Sequence, residues 1–312
     1  MEYSNETSVS RFFLLSLVES PYLKVLSSLV LFILYILILS VNFLLIVLVR
    51  IKLHLQTPMY FFLNNLSLID MGVPSTAVPK LLVITLSLDK SISFFNCAVQ
   101  MYFLSALLTT ECIMLAAMAY DRYAAICKPL HYHTIMNMRF CICIAISCWG
   151  VGFINSSIHV PYTFQMPFCR SHHVNHFFCE VPALLKLSCQ ATWFHEVAMY
   201  ISAFIVGLCS FLLTIISYVY IISSMFKIRS TQGRHKAFST CTSHLIVVCV
   251  YYGTLIFMYL LPRSKNSSET DKTVSIIYTV VSPLLNPIIY SIRNNDIKDA
   301  IRGYMQFQKE SF

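Results

Sequence analysis

The sequence contains little charge and few residues that interrupt a helix. Only 12% of its 312 residues are charged, whereas an ordinary soluble domain carries about 25%. Seven glycines and eleven prolines are too few for a collagen-like or low-complexity chain. Neither a Gly-x-Ser-x-Gly nor a Cys-x-x-Cys motif is present, and Met199 replaces the second histidine of the zinc-protease pattern that begins at His195. These absences exclude a typical soluble domain and disfavour the common enzyme classes.

Apolar residues, by contrast, make up 57% of the chain. They form seven continuous blocks that approach the ~20 residues needed to cross a hydrocarbon layer about 30 Å thick. The blocks do not alternate between apolar and polar residues, as the strands of a membrane barrel would. The sequence therefore predicts an all-α membrane protein with a seven-transmembrane-helix bundle. The predicted spans are Leu23–Val49, Met59–Leu82, Phe94–Tyr120, Phe140–Val160, Val197–Phe226, Phe238–Leu261 and Val274–Tyr290.

The charge of the loops predicts how the bundle is oriented. With the N-terminus outside, the cytoplasmic segments hold thirteen basic and four acidic residues, and the outer segments are nearly neutral. A basic cytoplasmic face is what the positive-inside rule expects. The net charge of +8 therefore reflects membrane topology, and no nucleic-acid partner is needed to explain it.

This topology divides the chain into three parts. They are an extracellular segment 1–22 with a glycosylation sequon at Asn5, a bundle 23–290 with a long outer loop 161–196, and a cytoplasmic tail 291–312. In the tail, Ile297, Ile301 and Tyr304 recur at helical spacing. We expect them to form a short amphipathic helix along the inner membrane surface.

Four cysteines lie in the predicted outer segments, namely Cys97, Cys169, Cys179 and Cys189. Because these segments pass through an oxidising compartment, we expect disulfide bonds, but spacing leaves all three pairings open. A competing interpretation is a zinc or copper site formed by one of these cysteines and three nearby histidines. Its ligands would be His172, His173, His176 and Cys179.

Two acidic residues, Asp70 and Glu111, lie within predicted spans. A charge at mid-membrane costs at least ~2.5–3.5 kcal/mol, so such residues usually face the bundle interior and have a role. Glu111 shares one helical stripe with Leu108 and Leu115, which places it toward the interior. Two interpretations remain open: a hydrogen-bonded or protonated structural network, or a cation site.

Six local strings occur in a fixed order along the spans. They are Leu55–Leu63 (LQTPMYFFL), Met118–Cys127 (MAYDRYAAIC), Lys128–Tyr132 (KPLHY), Ser217-Tyr218, Lys236–Leu245 (KAFSTCTSHL) and Pro283–Asn294 (PLLNPIIYSIRN). Together they resemble the vertebrate odorant receptors, a branch of the rhodopsin-like G-protein-coupled receptors, over about residues 10–305. The outer loop also matches, with His176–Glu180 (HFFCE). One departure is Val41, where the family usually has a glycine before Asn42.

The resemblance implies an activation switch near the cytoplasmic face. Asp121 is expected to restrain Arg122 at rest, and Arg122 to contact a G protein in the active state, with Tyr218 and Tyr290 moving toward it. Pro287 favours a kink in the seventh span because it lacks an N–H, and Asn286 is expected to bond the carbonyls that the kink frees. The predicted switch residues are Asp121, Arg122, Tyr123, Tyr218, His244, Asn286, Pro287 and Tyr290.

The resemblance also implies disulfide bonds between Cys97 and Cys179 and between Cys169 and Cys189. A cysteine in a disulfide cannot be a thiolate ligand, which disfavours the metal site in the outer loop. Rhodopsin-like receptors commonly hold a sodium ion at the position of Asp70, and Glu111 is placed to supply a second carboxylate. No other cofactor is expected.

Transferring the family's pocket positions predicts a ligand site in the outer half of the bundle. The predicted lining is Leu104, Ser105, Leu108, Thr109, Ser202, Ala203, Val206, Tyr252, Leu255, Tyr259, Ile276 and Thr279. Such a lining is apolar with a few hydroxyls and no charge, which suits a small, neutral, mostly apolar molecule. Leu104 stands where amine receptors place an aspartate, and Val280 where retinal proteins place a lysine, so neither ligand is expected.

The sequence thus predicts a multi-pass odorant receptor of the plasma membrane, not an enzyme. Its expected partners are the lipid bilayer, a small volatile ligand and a heterotrimeric stimulatory G protein that raises cyclic AMP. Alternatives are a non-olfactory chemosensory receptor of the same class and, less favoured, a transporter. Transporters often show repeated halves, and this chain has no internal repeat.

Overall fold

The computed structural model describes residues 10–18, 20–169, 172–189, 191–227, 230–260 and 267–293. For residues 54, 231–237, 239, 240, 258–260, 267–271 and 291–293 it describes the backbone alone. Three predictions concern features outside this part of the chain: the glycan at Asn5, the helix in the tail and the side chain of Tyr259.

The described chain is mainly helical. In chain order its elements are β1 (Arg11–Phe13), α1 (Pro21–Ile51), α2 (Pro58–Leu86), β2 (Ser91–Ser93), α3 (Phe94–Cys127), α4 (Tyr132–Ile135), α5 (Met138–Phe164), α6 (Val181–Leu185), α7 (Trp193–Lys227), α8 (Thr231–Leu260), α9 (Ser267–Ile276) and α10 (Ser282–Arg293). Short 3₁₀ turns lie at Leu53–Leu55 and Pro129–His131, and a π-helical turn, Ile277–Val281, joins α9 to α10.

Seven apolar helical segments confirm the predicted bundle. Five long helices and the segment Lys272–Tyr290 are long and apolar enough to cross a membrane, and α8 contributes the shorter apolar stretch Cys241–Phe257. α3 lies at the centre, where it packs against α2, α5, α7 and α8. The helices are longer than the apolar blocks because a helix can continue into the headgroup region once its backbone is hydrogen-bonded internally.

These extensions correct the predicted boundaries of the long outer loop. α5 continues through Pro161 to Phe164, and α7 begins at Trp193, so the loop spans 165–192 and not 161–196. Pro161 removes only one backbone donor, and Gln165 still donates to the Pro161 carbonyl oxygen, so the final turn of α5 persists.

A small antiparallel sheet connects the N-terminal segment to the outer surface. β1 pairs with β2 in the register Phe12 opposite Ile92. The Phe13 backbone N–H donates to the His172 carbonyl oxygen at 2.7 Å, which joins the outer loop to the same strand. The Phe12 side chain is fully buried, with its ring 5.3 Å from that of Phe168. Residues 11–14 are therefore packed against the outer loop and the start of α3.

The structure contains both disulfide bonds that the resemblance implies. Cys97, in the first turn of α3, is bonded to Cys179, and Cys169 is bonded to Cys189. The Cys179 backbone N–H also donates to the Gln100 side-chain oxygen at 2.9 Å, so the loop is held on α3 at two adjacent points. Cys179 is thus not available as a thiolate ligand. Within the described residues there is no cluster of three or more His, Cys, Asp or Glu side chains that could hold a metal.

Candidate functional site

A cavity of about 710 Å³ lies in the outer half of the bundle, between α3, α5, α7 and α8 and beneath α6. Its lining is mostly apolar. Nine of the twelve positions predicted for a ligand site line this cavity: Leu104, Ser105, Leu108, Thr109, Ser202, Ala203, Val206, Tyr252 and Leu255.

The two predicted positions on the seventh span, Ile276 and Thr279, do not line the cavity. Thr279 is buried, and its hydroxyl donates to the Ser275 carbonyl oxygen at 2.6 Å. The prediction assumed regular α-helical spacing here, whereas the π-helical turn Ile277–Val281 shifts which side chains face inward. Tyr278 reaches the cavity instead.

The predicted lining did not include two polar residues of α5 or the acidic residue of the outer loop that line the cavity. Asn155 and His159 lie four residues apart on α5, so both face the cavity, and Glu180 of the outer loop lies above them. The pair on α5 had a detectable signal, because two polar residues at i and i+4 interrupt an otherwise apolar block. Glu180 corrects the expectation that no charged side chain lines the site.

The polar part of the cavity wall is a hydrogen-bonded chain from three helices. Ser202 of α7 donates its hydroxyl proton to the Asn155 side-chain oxygen at 2.5 Å. The Asn155 amide in turn donates to the Thr109 hydroxyl oxygen of α3 at 3.2 Å. All three side chains line the cavity. We call Thr109, Asn155 and Ser202 the polar wall.

The roof of the cavity is fixed to the seventh span. The buried His176 ring is hydrogen-bonded to the Ser275 hydroxyl at 3.0 Å, and its Nε2 lies 3.5 Å from Oε1 of Glu180. The Tyr278 hydroxyl donates to the other Glu180 oxygen at 3.4 Å. The Glu180 carboxylate is therefore oriented by groups from the loop and from the seventh span.

The floor of the cavity joins α8 to α3. The Tyr251 hydroxyl donates to the Leu108 carbonyl oxygen at 2.5 Å, and the Tyr252 hydroxyl to the Cys112 carbonyl oxygen at 3.3 Å. Both tyrosines are buried and both line the cavity. A molecule in the cavity therefore touches the side chains that hold these two helices together.

Below the floor, Asp70 and Glu111 are both almost completely buried. The Asn286 amide donates to Oδ1 of Asp70 at 2.9 Å, linking the seventh span to α2. Asn286 was expected to satisfy carbonyls freed by Pro287, but Asn42 of α1 performs this task. Pro287 has no N–H for the Pro283 carbonyl oxygen, and the Asn42 amide donates to that oxygen at 3.1 Å.

Near the cytoplasmic face, Arg122 is held by its neighbour. Its Nη2 lies 3.0 Å from Oδ2 of Asp121, while the Tyr132 hydroxyl donates to the other Asp121 oxygen at 2.8 Å. Burial, followed by the proximity of Asp121, raises the pKa of Tyr132, so its hydroxyl keeps the donated proton. Asp121 is thus shared between a cation on its own helix and a donor from the following loop.

A second contact holds α8 in place on the cytoplasmic side. Nδ1 of the His244 ring is hydrogen-bonded to the Tyr218 hydroxyl at 2.7 Å. Nε2 of the same ring is hydrogen-bonded to the Leu115 carbonyl oxygen at 3.1 Å. Since a carbonyl can only accept, Nε2 carries a proton, and in the neutral ring Nδ1 accepts from the Tyr218 hydroxyl, which also lies 3.2 Å from the Cys241 carbonyl oxygen. His244 therefore links α8 to both α3 and α7.

Two further predicted switch residues lie close to this region. The Tyr290 side chain is buried, and its hydroxyl has no hydrogen-bond partner among the described residues. The centre of the Tyr123 ring lies 5.8 Å from the centre of the Tyr220 ring. The Lys128 ammonium lies 5.9 Å from the centre of the Tyr123 ring.

Comparison with known proteins agrees with this architecture. A family model described as "Olfactory receptor" matches residues 31–308. The chain is 46% identical to human olfactory receptor 5B12 over 301 residues, covering 96% of this chain and 95% of that protein. It is 45% identical to human olfactory receptor 2T10 over 312 residues, which is 100% of both chains. It is also 46% identical to mouse olfactory receptor 5AP2 over 303 residues, covering 97% of this chain and 95% of that protein.

Proposed function

The chain belongs to the olfactory receptor family, a multi-pass membrane family, and on that premise we propose that it acts in the plasma membrane as an odorant receptor. It binds small, neutral, mostly apolar molecules in the cavity and activates a stimulatory G protein that raises cyclic AMP. It acts as a receptor and not as an enzyme or a transporter. The observation that carries the proposal is that α3 and α8 line the cavity and also hold the predicted switch residues Arg122 and His244.

The cavity supports the ligand class. Each Å² of apolar surface removed from water contributes about 25 cal/mol to the free energy of binding. A small hydrocarbon skeleton in this cavity therefore binds mainly through its contact area. The polar groups are few and are concentrated in the polar wall and the roof. This pattern, apolar contact with a small number of placed hydrogen-bonding groups, is typical of small-molecule sites.

The cytoplasmic half supports the switch. In this conformation Arg122 is occupied by Asp121, and α8 is fixed to α3 and α7 through His244. The Tyr290 hydroxyl is buried without a partner among the described residues, which costs about 1–3 kcal/mol. A second conformation in which Tyr290 gains a hydrogen bond recovers this cost. We propose that ligand binding shifts the population toward that conformation and frees Arg122 for the G protein.

An exposed apolar side chain supports docking of the G protein beside Arg122. Leu130, in the 3₁₀ turn that follows α3, is 94% exposed on the predicted cytoplasmic face. It lies outside the membrane-spanning helices, in the turn that follows α3. A partner that buries Leu130 also comes close to Arg122, because Leu130 lies three residues after the end of α3 and Arg122 five residues before it.

Asp70 and Glu111 are proposed to bind a sodium ion. The Asn286 side-chain amide donates a hydrogen bond to Asp70. The Asn286 side-chain oxygen and the carboxyl groups of Asp70 and Glu111 are therefore the proposed ligands of the ion. Oxygen atoms of this kind suit a hard monovalent cation. In this proposal the ion stabilises the conformation in which the seventh span is held against α2.

The test is a cyclic AMP assay in cells that express the full chain with an olfactory-type stimulatory G protein, across a panel of small volatile compounds. We expect dose-dependent responses that are abolished in Arg122→Ala while surface expression is retained. Arg139→Ala is the matched control, because Arg139 is an exposed arginine on the same face. A full response in Arg122→Ala, or equal losses in both variants, would contradict the proposed switch.

A further inference from the structure

Thr109 differs from most threonines of the bundle in what it does with its hydroxyl proton. Eight other threonines in the described helices, Thr85 and Thr110 among them, donate this proton to a carbonyl oxygen of their own helix. The Thr109 hydroxyl instead accepts a hydrogen bond from Asn155. Within the described chain no acceptor is found for its own proton.

The direction of the hydrogen bonds in the polar wall explains why this proton is available. Ser202 uses its single proton on the Asn155 side-chain oxygen, which fixes the orientation of the amide. The amide then points its N–H at the Thr109 oxygen. A hydroxyl that accepts in this way still has one proton to donate. The chain of bonds therefore ends in a donor, and Thr109 lies in the cavity wall.

A second donor lies beside the first. The Asn155 amide carries two protons, and among the described residues only one is used, toward Thr109. Asn155 also lines the cavity. The wall thus presents two donors side by side, whereas its strongest acceptor, the Asn155 oxygen, already accepts one hydrogen bond from Ser202.

We propose that the polar wall selects ligands that carry a hydrogen-bond-accepting oxygen, in particular carbonyl compounds such as ketones, aldehydes and esters. The proposal rests on the proposed function in taking this cavity as the ligand site. Thr109 is the residue that contacts the ligand oxygen, Asn155 is its neighbour donor, and Ser202 positions Asn155. A carbonyl oxygen has two lone pairs and no proton, so it complements two donors without leaving a ligand donor unpaired.

A purely structural role does not account for this arrangement. Helix-to-helix bonding needs only the two protons that the polar wall already uses, one donated by Ser202 to Asn155 and one donated by Asn155 to Thr109. Had the Thr109 hydroxyl served its own helix, as that of the adjacent Thr110 does at 2.8 Å, it would present no donor to the cavity. Both residues that carry an unused proton line the cavity, and this is what points to a ligand.

The experiment compares two probes of nearly the same shape, 2-nonanone and 2-methyl-1-nonene, in which a CH₂ group replaces the carbonyl oxygen. Their affinities are measured from the thermal stabilisation of the purified full-length receptor in lipid nanodiscs over a series of concentrations of each probe, since stabilisation rises with ligand concentration relative to Kd. We expect the ketone to bind about threefold to tenfold more tightly, the range that one hydrogen bond supplies. In Thr109→Val the preference should fall below about twofold.

Two further variants separate the role of the hydroxyl from damage to the fold. Thr109→Ser keeps the proton and should keep the preference for the ketone. Thr85→Val makes the same chemical change at a buried threonine outside the cavity, and it should also keep the preference. Equal affinity of the native protein for the two probes, an undiminished preference in Thr109→Val, or no binding of either probe would overturn the proposal.

The same probes distinguish this proposal from the proposed function. Cyclic AMP is measured in parallel in cells that express each variant. If the ketone binds with the expected preference but raises no cyclic AMP, the proposed signalling is wrong and the assignment of the polar wall stands. If the ketone raises cyclic AMP and Thr109→Val responds to both probes as the native protein does, the receptor function stands and the assignment is wrong.

Discussion

Replacing Asn42 with leucine should destabilise the protein by about 1 kcal/mol, because it removes the donor for the Pro283 carbonyl oxygen. Asn42 is completely buried, and its amide lies 3.1 Å from that oxygen and 3.0 Å from the Ile38 carbonyl oxygen. A buried acceptor that loses its donor costs about 1–3 kcal/mol, but bonds between membrane helices average nearer ~0.6 kcal/mol. Leucine also removes the Asn42 side-chain oxygen, which has no partner among the described residues, and this offsets part of the loss.

The cost should depend on Pro287, which makes the reasoning testable as a double-mutant cycle. Pro287→Ala restores an N–H four residues after Pro283, so the helix can satisfy the carbonyl by itself. We therefore expect Asn42→Leu to cost less than half as much in the Pro287→Ala background, a coupling of about 0.5–1 kcal/mol.

The assay is thermal denaturation of the four purified proteins, with the native chain, the two single variants and the double variant. Asn65→Leu is the matched control, since the Asn65 amide donates to the Phe61 carbonyl oxygen at 2.9 Å in α2, away from Pro287. Its cost should be the same in both backgrounds. If the cost of Asn42→Leu is also the same in both backgrounds, the carbonyl freed by Pro287 is not the reason that Asn42 is needed.

Two further predictions concern helix packing and coupling. Gly152→Ala should lower the free energy of unfolding by about 1–3 kcal/mol in thermal denaturation, because a Cβ there would lie 2.6 Å from the Ala106 carbonyl oxygen and overlap the Thr110 hydroxyl. Gly150→Ala, where nothing lies within 4 Å, should cost nothing; equal losses would rule out the close helix contact as the cause. Leu130→Ala should raise the odorant concentration for half-maximal cyclic AMP about tenfold by removing apolar surface from the proposed docking site. The control is Leu53→Ala, because Leu53 is 81% exposed in the turn between α1 and α2. An equal rise in the half-maximal odorant concentration in Leu53→Ala would contradict the assignment of Leu130.

The spans could be predicted from the sequence because the bilayer imposes a length on every apolar block. α1, with a mean hydropathy of 3.0 in its most apolar window, is unambiguous, and even α2, at 1.3, is located to within a few residues. The ends of the helices could not be predicted in the same way. Beyond the hydrocarbon layer the apolar pattern ceases, and only hydrogen bonds such as that from Gln165 to Pro161 decide where the last turn stops.

The cavity was predictable where the helices are regular and not where they deviate. On α3 and α7 the transferred positions line the cavity, because regular spacing carries a face along the helix. On the seventh span the π-helical turn changes that spacing, and the residue types in Ile277–Val281 do not predict such a turn. The polar wall was missed for a different reason: Asn155 was interpreted only as a sequon within a span, and its contacts with Ser202 and Thr109 join segments 46 and 47 residues apart.

The contacts between α8 and α3 decide how a ligand can act on the cytoplasmic face. Tyr251, Tyr252 and His244 all bond to carbonyl oxygens of α3, and Tyr252 and His244 are eight residues apart, about 12 Å along the helix. The first two bonds lie at the cavity and the third near the switch. Because α8 is held to α3 at both of these points, the activation that we propose, in which the inner end of α8 moves, breaks the His244 bond while the tyrosine bonds serve as the pivot.

This geometry limits which ligands can activate. A ligand shifts the equilibrium only by the difference between its affinities for the two conformations, at about 1.4 kcal/mol for each factor of ten. In the activation that we propose, α8 pivots while α3, α5 and α7 stay in place. Contacts confined to the polar wall, which lies on these three helices, then raise affinity in both conformations alike, whereas contacts with Tyr251 and Tyr252 change as α8 pivots and supply the difference. A molecule that fills the polar wall but falls short of these tyrosines should therefore bind without activating, and compete with one that reaches them.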